Sequence, residues 1–126
     1  MSDAFLSAVA RYLPVTIEDV VFYHPALLLI APDWQMTIVC PWRLVRDDVV
    51  LTSLNDPDVA DYLPKLVGTT ITRLVPREPG TILPAADPEL SFDCGYSLEV
   101  FADTDLDPWT LRAGGITHVG LRRQHD

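Results

Sequence analysis

Apolar and polar positions change their spacing several times along this chain, and they do so twice in the same order. After Ser2 or Asp3, either of which can cap a helix, Phe5, Leu6, Val9 and Tyr12 recur at three- and four-residue spacing. That spacing predicts a short helix stopped by Pro14. Asp56 as N-cap, Pro57 in the first turn and the apolar face Val59, Tyr62, Leu63 and Leu66 predict a second helix, closed by Gly68. After each helix, β-branched residues become frequent and the period falls toward two. Strands are predicted over 15–23, 27–31, 34–39, 42–45 and 49–52, and again over 69–75, 89–93, 96–102, 109–112 and 116–119. Tyr96, Leu98 and Val100 alternate with Ser97, Glu99 and Phe101, so one face of that strand is buried and the other wetter. Pro32-Asp33 and Cys94-Gly95 read as equivalent hairpin turns, as do residues 46–48 and 113–115.

The repetition extends to residue identity. Val9-Ala10-Arg11-Tyr12-Leu13-Pro14 returns as Val59-Ala60-Asp61-Tyr62-Leu63-Pro64, and Thr16-Ile17 as Thr70-Ile71. Leu28, Ile30, Trp34, Met36 and Ile38 align with Leu90, Phe92, Tyr96, Leu98 and Val100. Pro41-Trp42-Arg43-Leu44 aligns with Pro108-Trp109-Thr110-Leu111. The offset grows from about 50 to about 67 residues, as in two copies of one unit separated by insertions. The expectation is one domain of two repeats, about 1–53 and 54–121, sharing a core. Its fold class is α+β: internally duplicated helix-plus-antiparallel-hairpin units with pseudo-twofold symmetry, two helices and about eight to ten strands. Trp42 and Trp109 read as core anchors. Trp34 and Tyr96, each just after a hairpin turn, read as contacts offered to a partner.

Length and composition narrow the function. A chain of 126 residues is one domain by size. No apolar run approaches the roughly 20 residues of a membrane helix, so no membrane association is expected. The N-terminal residues lack a basic segment followed by an apolar one, so no secretory signal is read and a cytoplasmic location is expected. Cys40 and Cys94 are too few for a disulfide framework and read as free thiols. Asp and Glu outnumber Lys and Arg by 18 to 9, a formal net charge of -9. Phosphate binding needs clustered cations, and Arg122-Arg123 is the one adjacent basic pair, so no nucleic-acid partner is expected. Such a balance instead steers a basic protein toward the surface.

Candidate chemistry is sparse. His24, His118 and His125 stand at no metal-ligand spacing, and no glycine-rich loop opens a helix to cradle phosphate. Asp103, Asp105 and Asp107 begin like a calcium loop, but Pro108 stands where glycine is needed and Gly114 where the bidentate glutamate belongs. Asp93 and Glu99 are a carboxylate pair in sequence, with no specified general acid or base role. No catalytic residue, cofactor or metal is therefore expected. The two halves differ most in their insertions: the proline-rich segment 76–88, which contains Arg77 and Glu78, and the acidic segment 102–107. Loops specific to one half are free to specialise. The candidate partner-binding residues are Asp103, Asp105, Asp107, Trp34, Tyr96, Arg77 and Glu78.

A small acidic α+β domain with paired Trp-x-Leu hairpins at Trp42 and Trp109 and no active site resembles the immunity-like proteins encoded beside bacterial toxins. The resemblance implies a cytoplasmic protein that occludes a cognate toxin with a basic substrate-binding cleft. Two other readings stand beside it. One is a chaperone for an exported protein, which favours a homodimer with an exposed apolar groove. The other is a small-ligand-binding protein or enzyme using the cleft between the repeats.

Overall fold

Nearly every alternating segment of the sequence becomes a strand, and among the described residues they make eleven. The computed structural model describes residues 11–76, 88–101, 109–114 and 116–119. In chain order the strands are β1 (Val15–Thr16), β2 (Asp19–Tyr23), β3 (Ala26–Ala31), β4 (Trp34–Ile38), β5 (Trp42–Arg46) and β6 (Val49–Ser53). A single turn of α-helix follows, α1 (Val59–Tyr62), running directly into a 3-10 turn at Leu63–Leu66. The remaining strands are β7 (Thr70–Pro76), β8 (Pro88–Phe92), β9 (Tyr96–Val100), β10 (Trp109–Ala113) and β11 (Ile116–Val119).

The expected α+β class with two helices is therefore corrected: the protein is mostly β, with two antiparallel sheets. The first expected helix falls on residues 1–10, outside the described residues, and Arg11 and Tyr12 form a turn. The second is real but short. Asp56 does not cap it through its side chain; its carbonyl accepts from Val59 N instead. Asp58 occupies the N-cap position, and its carboxylate accepts a 2.7 Å hydrogen bond from the Thr52 hydroxyl. Thr52 is the one fully buried polar side chain among the described residues, so this bond is what allows its hydroxyl inside. Thr52→Val, which keeps the shape and leaves Asp58 with solvent, should cost about 1 kcal/mol in a urea melt.

The larger sheet has the order β1-β7-β8-β9-β5-β6 and the smaller β11-β10-β4-β3-β2. Each sheet mixes the halves. The meander β7-β8-β9 is completed by the hairpin β5-β6 from the first half, and the meander β2-β3-β4 by β10-β11 from the second. Replacing β2 through β6 by β7 through β11 converts one order into the other, and the register follows. Trp42, Leu44 and Arg46 pair with Val100, Leu98 and Tyr96, while Trp109, Leu111 and Ala113 pair with Ile38, Met36 and Trp34. The expected single strand over 15–23 is divided, because the chain leaves the larger sheet after β1 and enters the smaller at β2. At that crossing Val15 and Thr16 pair with Ile71 and Thr70, and Ile17 N donates to Thr69 O at 2.8 Å. Thr16 and Thr70, equivalent in sequence, share a 2.9 Å hydroxyl hydrogen bond there, where one half meets the other.

One equivalence needs correcting by a single residue. Leu90 pairs with Leu98 as Leu29 pairs with Met36, so Leu90 matches Leu29 rather than Leu28, and Phe92 matches Ala31 rather than Ile30. The cause is the turn. Pro32-Asp33 is a two-residue connection, whereas Asp93-Cys94-Gly95 has three, with Gly95 at φ 96. A one-residue slip moves a side chain to the other face of a sheet.

Inward residues of both sheets form one apolar cluster. It holds Leu27 and Leu29 of β3, Met36 and Ile38 of β4, Trp42 and Leu44 of β5, Leu90 of β8, Leu98 and Val100 of β9, and Trp109 and Leu111 of β10. Phe22 of β2 meets Trp42 of β5 edge-on, ring centroids 6.2 Å apart, so an aromatic contact ties the smaller sheet to the larger. The β10–β11 turn is held by the N-terminal segment. A Cβ on Gly114, whose φ is 58, would lie 2.5 Å from the Tyr12 ring. Gly114→Ala should therefore destabilise by about 1–3 kcal/mol, combining a strained backbone with a displaced ring. Tyr12→Ala in the same background should recover part of that loss in thermal melts.

Candidate functional site

With the inner faces consumed by the core, what the two sheets show to solvent is the place to look for function. Their equal register makes the outer faces comparable position by position. On the smaller sheet one row runs Val21, Leu28, Thr37, Thr110. The equivalent row on the larger sheet runs Val75, Glu89, Glu99, Arg43. The next row is Asp19, Ile30, Gln35, Arg112 on the smaller sheet and Arg73, Ser91, Ser97, Val45 on the larger. The same scaffold thus carries a mixed exterior with Val21, Leu28 and Ile30 on one side and an exterior centred on Glu89, Glu99 and Arg43 on the other.

The charged face is built around Glu99. Its carboxylate accepts a 2.5 Å hydrogen bond from Arg43 Nε on the neighbouring strand, and both side chains are partly exposed. The Arg43 guanidinium also lies over the Phe101 ring, 5.0 Å from its centroid. On the other side of Glu99 stands Glu89, directly opposite across the β8–β9 pair. Glu89 makes no ion pair among the described residues. Opposed like charges on neighbouring strands destabilise a sheet by about 0.2–1 kcal/mol. Arg43 therefore engages only one of the two opposed carboxylates, and Arg73, exposed on the same face opposite Ser91, brings a second guanidinium to it. Turn acids extend the negative surface: Asp47 and Asp48 follow β5, both exposed and both at positive φ.

Trp34 and Tyr96 do not offer the contact area expected of them. Both are inward-facing members of the core, 2% and 8% exposed. The reason is strand parity: each begins the strand after its turn on the same face as Met36 and Leu98. Arg46 covers what remains of Tyr96, at 5.5 Å from the ring centroid. Asp103, Asp105, Asp107, Arg77 and Glu78 lie outside the described residues. Asp93 and Glu99 are not a pair: Asp93 sits in the turn, where its carboxylate accepts from Thr70 N at 3.1 Å. Glu89, Arg43, Ser91 and Ser97 were missed in the sequence. The alternation over 88–100 signals them, provided the β8–β9 turn is counted as three residues.

Among the described residues no group of three or more His, Cys, Asp and Glu is placed to hold a metal ion, and no helix is long and apolar enough to cross a membrane. Cys40 is buried beside the core and Cys94 lies half-buried in the β8–β9 turn, both as free thiols. A cleft of about 450 Å³ opens at the turn end of the smaller sheet, between Ile30, Asp33, Trp34, Gln35 and Arg112. It presents one exposed carboxylate and one exposed guanidinium, a sparse set for catalysis. No protein-family model, curated protein or solved structure matches the chain.

Proposed function

We propose that this chain is a non-catalytic, acidic protein-binding domain whose role is to occlude a basic cognate toxin, as immunity proteins do, through the outer face of the larger sheet. The observation that carries the reading is the opposition of Glu89 and Glu99, of which, among the described residues, only Glu99 is ion-paired, to Arg43. Folding gains nothing from that arrangement. The equivalent positions on the smaller sheet, Leu28 and Thr37, show that the scaffold forms without it. A partner that brings a lysine or arginine to this face relieves the repulsion and gains a charge-assisted hydrogen bond. The chain's net charge of -9 supports the same partner chemistry through long-range steering. Asp103, Asp105 and Asp107 belong to the proposal as additional acids on the connection between β9 and β10.

The stability and binding effects of one substitution should have opposite signs. Glu89→Gln should leave the fold unchanged or raise its stability by up to about 1 kcal/mol. The same change should weaken partner binding. The partner is obtained by affinity capture from the native cells, and its affinity for the wild type and for the Glu89→Gln/Glu99→Gln variant is then measured at low and high salt. A loss of about tenfold or more in the variant, with a flatter salt dependence, is expected. An unchanged affinity removes this face from the interface. Co-expression tests the biological half: a captured partner whose expression is harmless without this chain removes the toxin reading and leaves the binding reading standing.

A further inference from the structure

The outer face of the smaller sheet, apolar along β2 and β3 and polar toward β10, is not used by that reading, and its residues are arranged in a self-complementary way. Val21, Tyr23 and Val39 are exposed there, Tyr23 to 77%, and Ala26, Leu28 and Ile30 are half-buried beside them. Isolated exposed apolar residues are ordinary, but these are contiguous through the β2–β3 and β3–β4 pairs. Along one margin runs the row Asp19, Ile30, Gln35, Arg112, with an anion at one end and a cation at the other. The two charges are three strand spacings apart, about 14 Å, too far to pair within one molecule. Neither makes an ion pair among the described residues; Asp19 only accepts from its neighbour Val20 N at 2.9 Å through one oxygen.

A two-fold axis lying between two such faces, parallel to the strands and midway along the row, reverses the row in the second copy. Asp19 of each molecule then faces Arg112 of the other, and Ile30 of each lies over the Gln35 side-chain stem of the other. The apolar row beside it is reversed in the same way, so that Leu28 covers the Thr37 methyl of the other copy. Sheets pack face to face in this manner by interdigitating the side chains of the two faces. The charged exterior of the larger sheet cannot do so, because the same operation would bring glutamates together. We propose that the protein forms an isologous homodimer through the outer face of its smaller sheet, with reciprocal Asp19–Arg112 ion pairs between copies. The charged faces of both copies are left outward, free for a partner.

Sedimentation equilibrium on the full-length protein tests this. The wild type should show a reversible monomer–dimer equilibrium. Asp19→Arg and Arg112→Asp should each weaken it about tenfold or more, since every substitution acts at two symmetric contacts. The double exchange Asp19→Arg/Arg112→Asp should restore the dimer to within about threefold of the wild type. Ile30→Lys should abolish it. The charge exchanges sit at exposed positions, so unaltered circular dichroism is expected of them even where the lysine at position 30 disturbs the fold. A wild type that stays monomeric up to about 200 μM overturns the dimer. A dimer indifferent to all of these changes overturns this interface, and a double exchange no better than the single ones overturns the facing of Asp19 and Arg112.

Discussion

Replacing Trp42 with alanine is expected to destabilise the protein by about 3–5 kcal/mol, a large share of what a small domain has. The indole is 1% exposed and lies between the sheets, against the Phe22 ring on the opposite side. It also belongs to the strand that the first half lends to the second, so its loss opens a cavity where the halves interlock. A second substitution separates volume from polarity. Among the described residues the buried Trp42 Nε1–H has no hydrogen-bond partner, so the indole is held there for its size and not for its donor. Phenylalanine removes that orphaned donor while leaving a smaller void, and Trp42→Phe should therefore cost less than about 2 kcal/mol. Urea denaturation followed by circular dichroism gives both numbers. A loss below about 1 kcal/mol for the alanine variant would be incompatible with a ring packed between two sheets.

Leu98→Ala and Met36→Ala should each cost about 2–5 kcal/mol and should each weaken both sheets together. These residues are equivalent, fully buried, and paired across the two seams, Leu98 with Leu44 and Met36 with Leu111. Because every sheet contains strands from both halves, neither half has a complete sheet of its own to retain when the other opens. Native-state hydrogen exchange should show the amides of β3 and β8 losing protection by the same amount in either variant. Two separate unfolding transitions, or a loss of protection confined to one meander, would mean that the halves hold together independently.

Much of this was legible in the sequence, in proportion to how local its cause is. The β3–β4, β5–β6, β8–β9 and β10–β11 hairpins follow from alternation and turn residues, because strand period and turn type are set by a few neighbouring side chains. Trp42 and Trp109 were recognisable as interior residues from their paired positions, and both are buried. The helix at 59–62 was recognisable as helix but not as short. Asp56, Pro57 and the apolar spacing read the same for one turn as for three, and its length is limited by the bond from Thr52 to Asp58 and by the passage into the 3-10 turn.

The burial of Trp34 and Tyr96 follows from the parity of their own strands, shared with Met36 and Leu98, whereas the equivalents of Leu28 and Ile30 turned on one residue of turn length. A two-residue and a three-residue hairpin have similar composition, yet they reverse the parity of everything beyond them. The pairing of β5 with β9, and of β10 with β4, lay beyond local pattern altogether. Leu44 presents the same apolar edge to Met36 as to Leu98, and nothing within either segment ranks the two neighbours. The choice is made by the three-residue link 39–41, whose Cys40 is buried and carries the chain across to the other sheet, and by the Thr16–Thr70 crossing. By itself the sequence determined most of the strands and where four hairpin turns fall, since each of these depends on neighbours along the chain. Only the tertiary structure decided that the halves exchange hairpins, that Glu89 stands opposite Glu99, and that Leu28 and Ile30 lie on the exterior of the other sheet. Those are relations between residues distant in sequence, and they exist only once the sheets are assembled.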